Sequence, residues 1–269
     1  MTRTLAVANQ KGGVAKTTTV VSLGTAFAEQ GLRVLLVDLD AQSCLTFSLG
    51  LDPEELRPGV HEVILGLAEA ADAVLPAGDG LDVLPATIDL AGAEAELMPR
   101  PDREFALAEG LGPVLGDYDV VLLDCSPSLG ILTLNALAAA DEVIIPLQCE
   151  MLSHRGVGQL LDTISDVRRI LNPRLRVRGI LPTMFDARTA HARAVLADVE
   201  QRYGVPVLQP PIPRSVRFAE APGLGLSVLS TARRSVGARA YRDVAMGLLR
   251  AWRIRPGRRP VRRYAERQA

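Results

Sequence analysis

Residues 5–18 read LAVANQKGGVAKTT, and they carry the strongest structural signal in the chain. The apolar run Leu5–Ala8 predicts a short buried strand. A glycine-containing loop follows, and then a helix is predicted from about Lys16 to Gln30, ended by Gly31. Because backbone N–H groups and the positive end of a helix dipole converge in such a loop, the stretch predicts a site for a phosphate anion.

Similar apolar runs recur along the chain. Those that predict buried strands are Val34–Val37, Leu81–Leu84, Val120–Leu123, Val143–Ile145 and Val177–Leu181. Helices are expected near residues 102–115, 129–140, 154–171, 188–203 and 236–252. This alternation predicts a single α/β domain, with a mostly parallel twisted sheet and helices on both faces. Ligands of such folds bind beyond the carboxyl ends of the strands, where Asn9, Asp38 and Asp124 stand.

The composition is that of an ordinary soluble globular protein, with 269 residues of which 48% are hydrophobic and 23% charged. Cys44, Cys125 and Cys149 form no CxxC pair, so neither a disulfide scaffold nor a zinc knuckle is expected. Neither a signal peptide nor an apolar run long enough to cross a bilayer is evident. We therefore expect a cytoplasmic location.

Charge is divided unevenly along the chain. Residues 1–134 hold 7 of the 30 basic and 20 of the 31 acidic residues, so this half carries −13 and residues 135–269 carry +12. The basic half indicates an anionic partner, nucleic acid or membrane surface, or else it balances the acidic half within one fold. Only Lys11 and Lys16 are lysines, which suggests that these two positions need a compact ammonium group.

The loop supplies groups that a nucleotide phosphate requires. Gly12–Gly13 allow the backbone to approach phosphate oxygens. Lys16 can reach the β- and γ-phosphates, and the Thr17 hydroxyl can ligate Mg²⁺. The strict pattern G-x-x-x-x-G-K-[ST] fails, because Gln10 and Ala15 occupy its two glycine positions.

The loop does match K-G-G-x-x-K-T-[ST], in which Lys11 precedes Lys16 by five residues. With this loop the chain resembles the ParA/MinD family of deviant Walker A ATPases, and most of all the ParA (Soj-like) chromosome and plasmid partitioning ATPases. Other segments with family counterparts are Val34–Gln42 (usually ending D-x-D-P-Q), Val121–Ser128 (usually D-x-P-P), Thr183–Thr189, Ile212–Arg214 and Ala221–Pro222. The resemblance covers roughly residues 3–250 and implies a P-loop NTPase fold.

The resemblance implies roles in ATP binding and hydrolysis. Lys16 and Asp40 would be catalytic, and Asp40 would orient the attacking water. Lys11 would be catalytic in trans: it would reach the nucleotide of a partner subunit and stabilise charge on the transferring phosphoryl group. The residues that would hold the phosphates are Gly12, Gly13, Val14, Ala15, Lys16, Thr17 and Thr18.

Mg²⁺ would be bound by Thr17, Asp38 and Asp124. Asp124 ends an apolar strand, where a bare carboxylate needs a partner such as a cation. Asp38 would support Mg²⁺ or Lys16, although either Asp38 or Asp40 can instead cap the following turn. The adenine would lie between the segments of Met184 and Pro213, and Met184 can pack on a purine without supplying amide hydrogen bonds.

The resemblance implies a DNA-partitioning ATPase that forms a sandwich dimer with ATP. Arg188 and Arg217 correspond to family positions for non-specific DNA binding, which requires only phosphate neutralisation. A ParB-type centromere-binding protein would stimulate hydrolysis. We expect a cytoplasmic, nucleoid-associated protein that does not bind membrane. Residues 1–252 would form the ATPase domain, and the arginine-rich tail 253–269 is expected to be disordered.

The sequence departs from the family pattern at Ala15, Ala41, Cys44 and Ser126. Three other functions remain open. A MinD-like ATPase would bind membrane through a C-terminal amphipathic helix, which Pro256 and Pro260 would break here. An iron–sulfur carrier like the nitrogenase iron protein would need cysteines in other contexts. A nucleotide-binding scaffold without hydrolysis is the third.

Overall fold

The computed structural model describes residues 2–78, 80–149 and 153–257. The strands are β1 (Arg3–Val7), β2 (Val34–Leu39), β3 (Leu75–Gly78), β4 (Leu81–Leu84), β5 (Val120–Cys125), β6 (Glu142–Gln148) and β7 (Arg176–Thr183). The helices are α1 (Lys16–Ala28), α2 (Cys44–Ser48), α3 (Val60–Ile64), α4 (Ala70–Ala73), α5 (Leu90–Leu97), α6 (Ala106–Leu115), α7 (Ile131–Ala139), α8 (Ser153–Ile170), α9 (Ala190–Tyr203), α10 (Arg217–Glu220), α11 (Val228–Thr231) and α12 (Val236–Trp252). Most of the tail predicted at 253–269 lies outside the described residues.

The strands form one sheet in the order β3-β4-β2-β5-β1-β6-β7. Neighbouring strands are parallel except for β3, which is antiparallel to β4. Every residue of β2 and β5 is buried, because helices cover both faces of the sheet. One apolar layer lies under α3 and α5–α9, and the other lies under α1, α11 and α12. The predicted α/β fold with a mostly parallel sheet is confirmed.

The predicted elements are present, with shifted ends. The first helix ends at Ala28, two residues before the predicted Gln30. The helix predicted from residue 188 begins at Ala190, because the Thr189 N–H bonds to the Asp186 carbonyl at 3.1 Å in a turn. β3 and α2–α5 were not predicted, since they have four to eight residues each and lack a long periodic pattern.

A further extended segment, residues 205–213, runs beside β7 at the border of the sheet. The Ile180 N–H donates to the Pro206 carbonyl at 2.9 Å, and the Ile180 carbonyl accepts from the Leu208 N–H at 2.8 Å. Its two isolated parallel bridges are Ile180–Val207 and Phe185–Pro213. The segment therefore occupies the edge that β7 would otherwise leave open.

Asn172 fixes the C-terminal end of α7 against the sheet. Its side-chain amide nitrogen lies 2.7–3.1 Å from three carbonyl oxygens, those of Leu137, Ala138 and Ala140. The last carbonyls of a helix have no partner within the helix, so an amide donor from another element satisfies them. Separately, none of the helices in the described part of the chain is long and apolar enough to cross a membrane.

We predict that Asn172→Ala lowers the free energy of unfolding by about 1–2 kcal/mol, because it leaves helix-end carbonyls without a donor. The unfolding temperature should fall by a few degrees, as measured by calorimetry. Arg169→Ala is the matched control, since Arg169 only forms an exposed ion pair with Asp166. An Asn172→Ala protein as stable as Arg169→Ala would refute this role of Asn172.

Candidate functional site

The sheet order brings the predicted site residues together at one edge. β5 lies between β1 and β2, and Asp124 of β5 is in register with both Val7 of β1 and Asp38 of β2. The loop that follows β1 leads directly into α1. The carboxyl ends of three adjacent strands therefore place the glycine loop beside both acids, as the sequence predicts.

Asn9 shapes the start of the loop. Its side-chain amide donates to the Pro146 carbonyl at 2.6 Å, and its Oδ1 accepts from the Lys11 N–H at 3.0 Å. The residue is 3% exposed, so these bonds form away from water. The sequence analysis placed Asn9 at the strand end but assigned it no role, because its partner on β6 is distant in the chain.

Gly13 and Ala15 adopt left-handed backbone conformations, with φ of 72° and 67°. Glycine does so without strain, whereas a left-handed alanine costs about 1–2 kcal/mol. A Cβ added to Gly12 or Gly13 would meet no atom of the described residues within 4 Å. The loop therefore has an open side, and the departure at Ala15 keeps the glycine-like conformation at an energetic cost.

Lys16 is buried at the start of α1, with 8% exposure. Its ammonium group donates to the Lys11 carbonyl at 3.3 Å. Burial lowers the pKa of Lys16, and the nearby Asp124 carboxylate acts in the opposite direction. A buried ammonium group in an open loop suits an anionic ligand. The side chain of Lys11, by contrast, is exposed.

Asp124 is the most unusual polar residue of the site. It is 1% exposed, and neither carboxylate oxygen accepts a hydrogen bond of ordinary geometry from the described residues. Burial raises its pKa well above the usual value, and Asp38 adds to the rise while Thr17 and Lys16 oppose it. An isolated buried carboxylate is costly unless a cation or proton compensates it. The site therefore fits a divalent cation.

Magnesium needs few protein ligands, since it keeps several waters and shares phosphate oxygens. This agrees with the described residues, where no cluster of three or more His, Cys, Asp or Glu side chains could hold a metal alone. Thr17 and Asp124 are the groups best placed to hold it. Thr17 lies in the first turn of α1, and its hydroxyl is close enough to Asp124 to lower the pKa of that carboxyl group.

Asp38 is held by the protein itself. Its Oδ2 accepts from the Thr46 N–H at 2.9 Å and from the Thr46 hydroxyl at 2.7 Å, and its Oδ1 accepts from the Asp40 N–H at 3.2 Å. Burial raises the pKa of Asp38 to about 6, although these hydrogen bonds oppose the rise. These contacts resemble the alternative of a turn-capping acid more than a metal ligand, and the metal role of Asp38 remains a prediction.

The sequence analysis missed Thr46. This fully buried residue donates its hydroxyl to Asp38, and the same oxygen accepts from the Ala86 N–H at 3.0 Å. It thereby connects β2 with the segment that follows β4. The sequence shows a threonine eight residues after Asp38, but its hydroxyl reaches Asp38 only because the short helix α2 turns the chain back. The hydrophobic periodicity does not predict that helix.

Asp40 is half-buried at the rim of the site. Its Oδ1 accepts from the Gln42 N–H at 3.0 Å, and its carbonyl accepts from the Ser43 N–H at 2.8 Å. The bond to Gln42 is of the kind that a turn-capping acid forms, and the role of Asp40 in orienting water stays a prediction.

Cys44 follows at the start of α2 and is exposed as a residue. Partial burial of its thiol raises the thiol pKa, and Asp40 adds to the rise.

The two segments predicted to enclose a base are adjacent. The Phe185 N–H donates to the Ile212 carbonyl at 2.9 Å, next to the bridge between Phe185 and Pro213. Met184 is half-buried and has a left-handed backbone with φ of 46°. The buried Thr183 hydroxyl donates to the Val14 carbonyl at 3.0 Å, which ties this rim to the glycine loop.

The two predicted DNA-binding arginines lie on separate exposed elements. Arg188 precedes α9 and forms two bonds to Asp186, at 2.9 and 3.0 Å. This guanidinium group lowers the pKa of Asp186 to about 2. Arg217 opens α10 and pairs with Glu220 at 3.0 Å. Both arginines remain accessible, but an added phosphate would have to share each of them with an acid.

Comparisons with known proteins agree with this geometry. A family model described as an AAA domain matches residues 2–177. The sporulation initiation inhibitor protein Soj of Bacillus subtilis is 44% identical over 246 residues, which cover 91% of this chain and 97% of Soj. The chromosome partitioning protein ParA of Caulobacter vibrioides is 44% identical over 246 residues, which cover 90% of this chain and 92% of ParA.

A solved structure with a different name is also similar. Cobyrinic acid a,c-diamide synthase from Mycobacterium smegmatis, with bound ATP analog and magnesium, has a TM-score of 0.85 and 58% identity. The match covers 94% of this chain and 96% of that one. The glycine loop, the two strand-end acids and the extent of these matches lead to one assignment. The chain belongs to the ParA/MinD family of P-loop ATPases and is similar to Soj and ParA.

Proposed function

We propose that the protein is a DNA-partitioning ATPase that hydrolyses ATP with Mg²⁺. The observation that carries the nucleotide part is the buried Asp124 carboxylate near the buried Lys16 and an open glycine loop. Among the described residues, this carboxylate has no hydrogen-bond partner of ordinary geometry. The names of Soj and of Caulobacter vibrioides ParA support the partitioning part. The Mycobacterium smegmatis structure, with its ATP analog and magnesium, supports the choice of ligands.

In this proposal each residue of the loop has a separate task. The backbone of residues 12–18 cradles the phosphates, and Lys16 neutralises the β- and γ-phosphate oxygens. Thr17 and Asp124 hold Mg²⁺, with Asp38 in support. The bound Mg²⁺ would supply positive charge that offsets the charge developing on the phosphates. Asp40 orients the attacking water, and the apolar rim of Met184 and Pro213 packs against the base.

Lys11 completes the site of a second subunit. Lys11 is exposed, as a lysine that meets a second copy must be, and its carbonyl accepts a hydrogen bond from Lys16. Two copies that face each other would then enclose two nucleotides, and each Lys11 would stabilise the transition state of its partner. Nucleotide state would thereby control whether the protein is a monomer or a dimer.

The dimer would bind double-stranded DNA without sequence preference through Arg188 and Arg217. A ParB-type protein at the centromere would stimulate hydrolysis and release the subunits. The protein would then be cytoplasmic and associated with the nucleoid. A MinD-like membrane ATPase is the alternative, and co-sedimentation with anionic vesicles rather than with DNA would favour it.

A second candidate function comes from the Mycobacterium smegmatis name, which denotes an amide-forming synthase. A synthase that binds ATP could use the same phosphate loop. The two functions differ in what the nucleotide controls, because only the partitioning ATPase requires retention on DNA that depends on ATP. Absence of such retention with ATP, ADP and a non-hydrolysable analogue alike would favour the synthase.

We predict that Lys11→Ala preserves ATP binding by the monomer but abolishes ATP-dependent dimerisation and lowers turnover by at least about tenfold. Lys16→Ala should instead weaken nucleotide binding itself. Light scattering, a fluorescent ATP analogue and phosphate release would measure the three properties. Arg169→Ala, which removes an exposed charge on α8, is the control. Normal dimerisation and turnover by Lys11→Ala would exclude the trans role.

We predict that Asp124→Asn abolishes the thermal stabilisation by Mg²⁺ and ATP but leaves the metal-free protein equally or more stable. Because burial raises the pKa of Asp124, the folded state favours its protonated form, and metal-free stability should fall as the pH rises above about 4. Asp124→Asn should weaken this pH dependence, whereas the exposed Asp117→Asn should not. Unchanged Mg²⁺ stabilisation in Asp124→Asn would refute the metal role.

We predict that Arg217→Ala weakens ATP-dependent DNA binding and lowers the slope of log affinity against log salt by about 1, as the loss of one phosphate contact requires. Arg188→Ala should behave in the same way. Arg169→Ala is closely matched, because Arg169–Asp166 and Arg217–Glu220 are both exposed pairs three residues apart. Equal DNA affinity of the Arg217 and Arg169 variants at two salt concentrations would contradict this assignment.

A further inference from the structure

The phosphate loop is linked to α12 through a buried pair of hydroxyl groups. The Thr19 Oγ1 and the Tyr241 Oη are 3.0 Å apart, and both side chains are 0% exposed. Thr19 belongs to the first turn of α1, where its N–H donates to the Ala15 carbonyl at 3.0 Å. A change in the loop conformation on nucleotide binding would therefore displace Thr19 and alter this hydroxyl pair.

Tyr241 in turn contacts the short helix that begins with Arg217. Its ring meets the Phe218 ring edge-on, with centroids 5.7 Å apart and an interplanar angle of 87°. Gly237 gives Phe218 the space it occupies, since a Cβ there would lie 2.5 Å from the end of the ring. Phe218 is the direct neighbour of Arg217 in α10. A displacement of its ring would therefore shift the backbone that carries the arginine.

Phe218 also packs against the apolar layer to which Val21 of α1 belongs. Between Phe218 and the α1 residues Thr18 and Ser22 there is only a narrow cleft of about 20 Å³, enough for roughly one water molecule. Close packing transmits small displacements, because core side chains cannot shift independently of their neighbours. Phe218 is thus connected to α1 through this apolar layer and through Tyr241, whose hydroxyl group meets Thr19.

We propose that Tyr241 is a positioning residue that couples nucleotide binding at the loop to the arrangement of residues 217–226, and so to Arg217. This inference rests on the proposed function, because it assigns to Arg217 a role in DNA binding. Tyr241 would act through the Thr19 hydroxyl on one side and the Phe218 ring on the other.

The decisive variant is Tyr241→Phe, which keeps the ring on Phe218 and removes only the hydroxyl. Tyr118→Phe is the matched control, because Tyr118 is also buried and donates its hydroxyl to Asp82 at 3.0 Å. Tyr118 belongs to the other of the two apolar layers. Both full-length variants should bind a fluorescent ATP analogue and dimerise as the wild type does. With the non-hydrolysable analogue, Tyr241→Phe should bind DNA about tenfold more weakly than wild type does. Its DNA affinities with the analogue and with ADP should then be nearly equal.

Amide hydrogen exchange of residues 216–226, with ADP and with the analogue, tests the coupling without DNA. Wild type and Tyr118→Phe should show nucleotide-dependent protection there, and Tyr241→Phe should not. The proposal is overturned if wild type shows no such dependence, or if Tyr241→Phe retains it. A different result would refute the proposed function instead: wild type shows the nucleotide-dependent protection but does not bind DNA. Phe218→Leu, which leaves the hydroxyl pair intact, should uncouple in the same way.

Discussion

The structure is organised around a buried carboxyl group, that of Asp124, whose charge the described residues do not compensate. Asp124 stands at the end of the central strand β5, between β1 and β2, with no hydrogen-bond donor among the described residues. Helices on both faces of the sheet exclude water from it. Lys16 and Thr17 approach it from α1, but they do not satisfy its oxygens. In the proposed function, a cation with its phosphate ligand would compensate this carboxylate.

Other residues hold the neighbouring strand end and the glycine loop in place around Asp124. Asp38 is a second buried acid on the neighbouring strand, and it avoids the same problem by accepting bonds from Thr46 and the Asp40 backbone. Asn9 and Thr183 hold the two sides of the glycine loop by bonds to or from distant strands. Ala15 accepts a strained conformation in the same loop. Asp38 is thus satisfied by the turn that follows β2, whereas Asp124 is left available to a cation.

The sequence predicts much of this because the central elements are long and locally encoded. The buried strands β1, β2 and β5 read as continuous apolar runs, and each ends at a polar residue of the site. The roles of Thr46, Thr183 and Tyr241 could not be predicted, because each depends on a partner from 8 to more than 200 residues away. The ion pairs of Arg188 and Arg217 depend on side-chain geometry, which motif position alone does not define.

The border segment 205–213 limits how another molecule can add a strand to the sheet. Pro206, Pro210, Pro211 and Pro213 lack an N–H group, so this side of the sheet offers a neighbouring chain few donors. The opposite border strand, β3, has only four residues and contains Pro76. Both margins therefore resist extension by another molecule's strand. Many copies at high local concentration should therefore not assemble into fibres by strand addition.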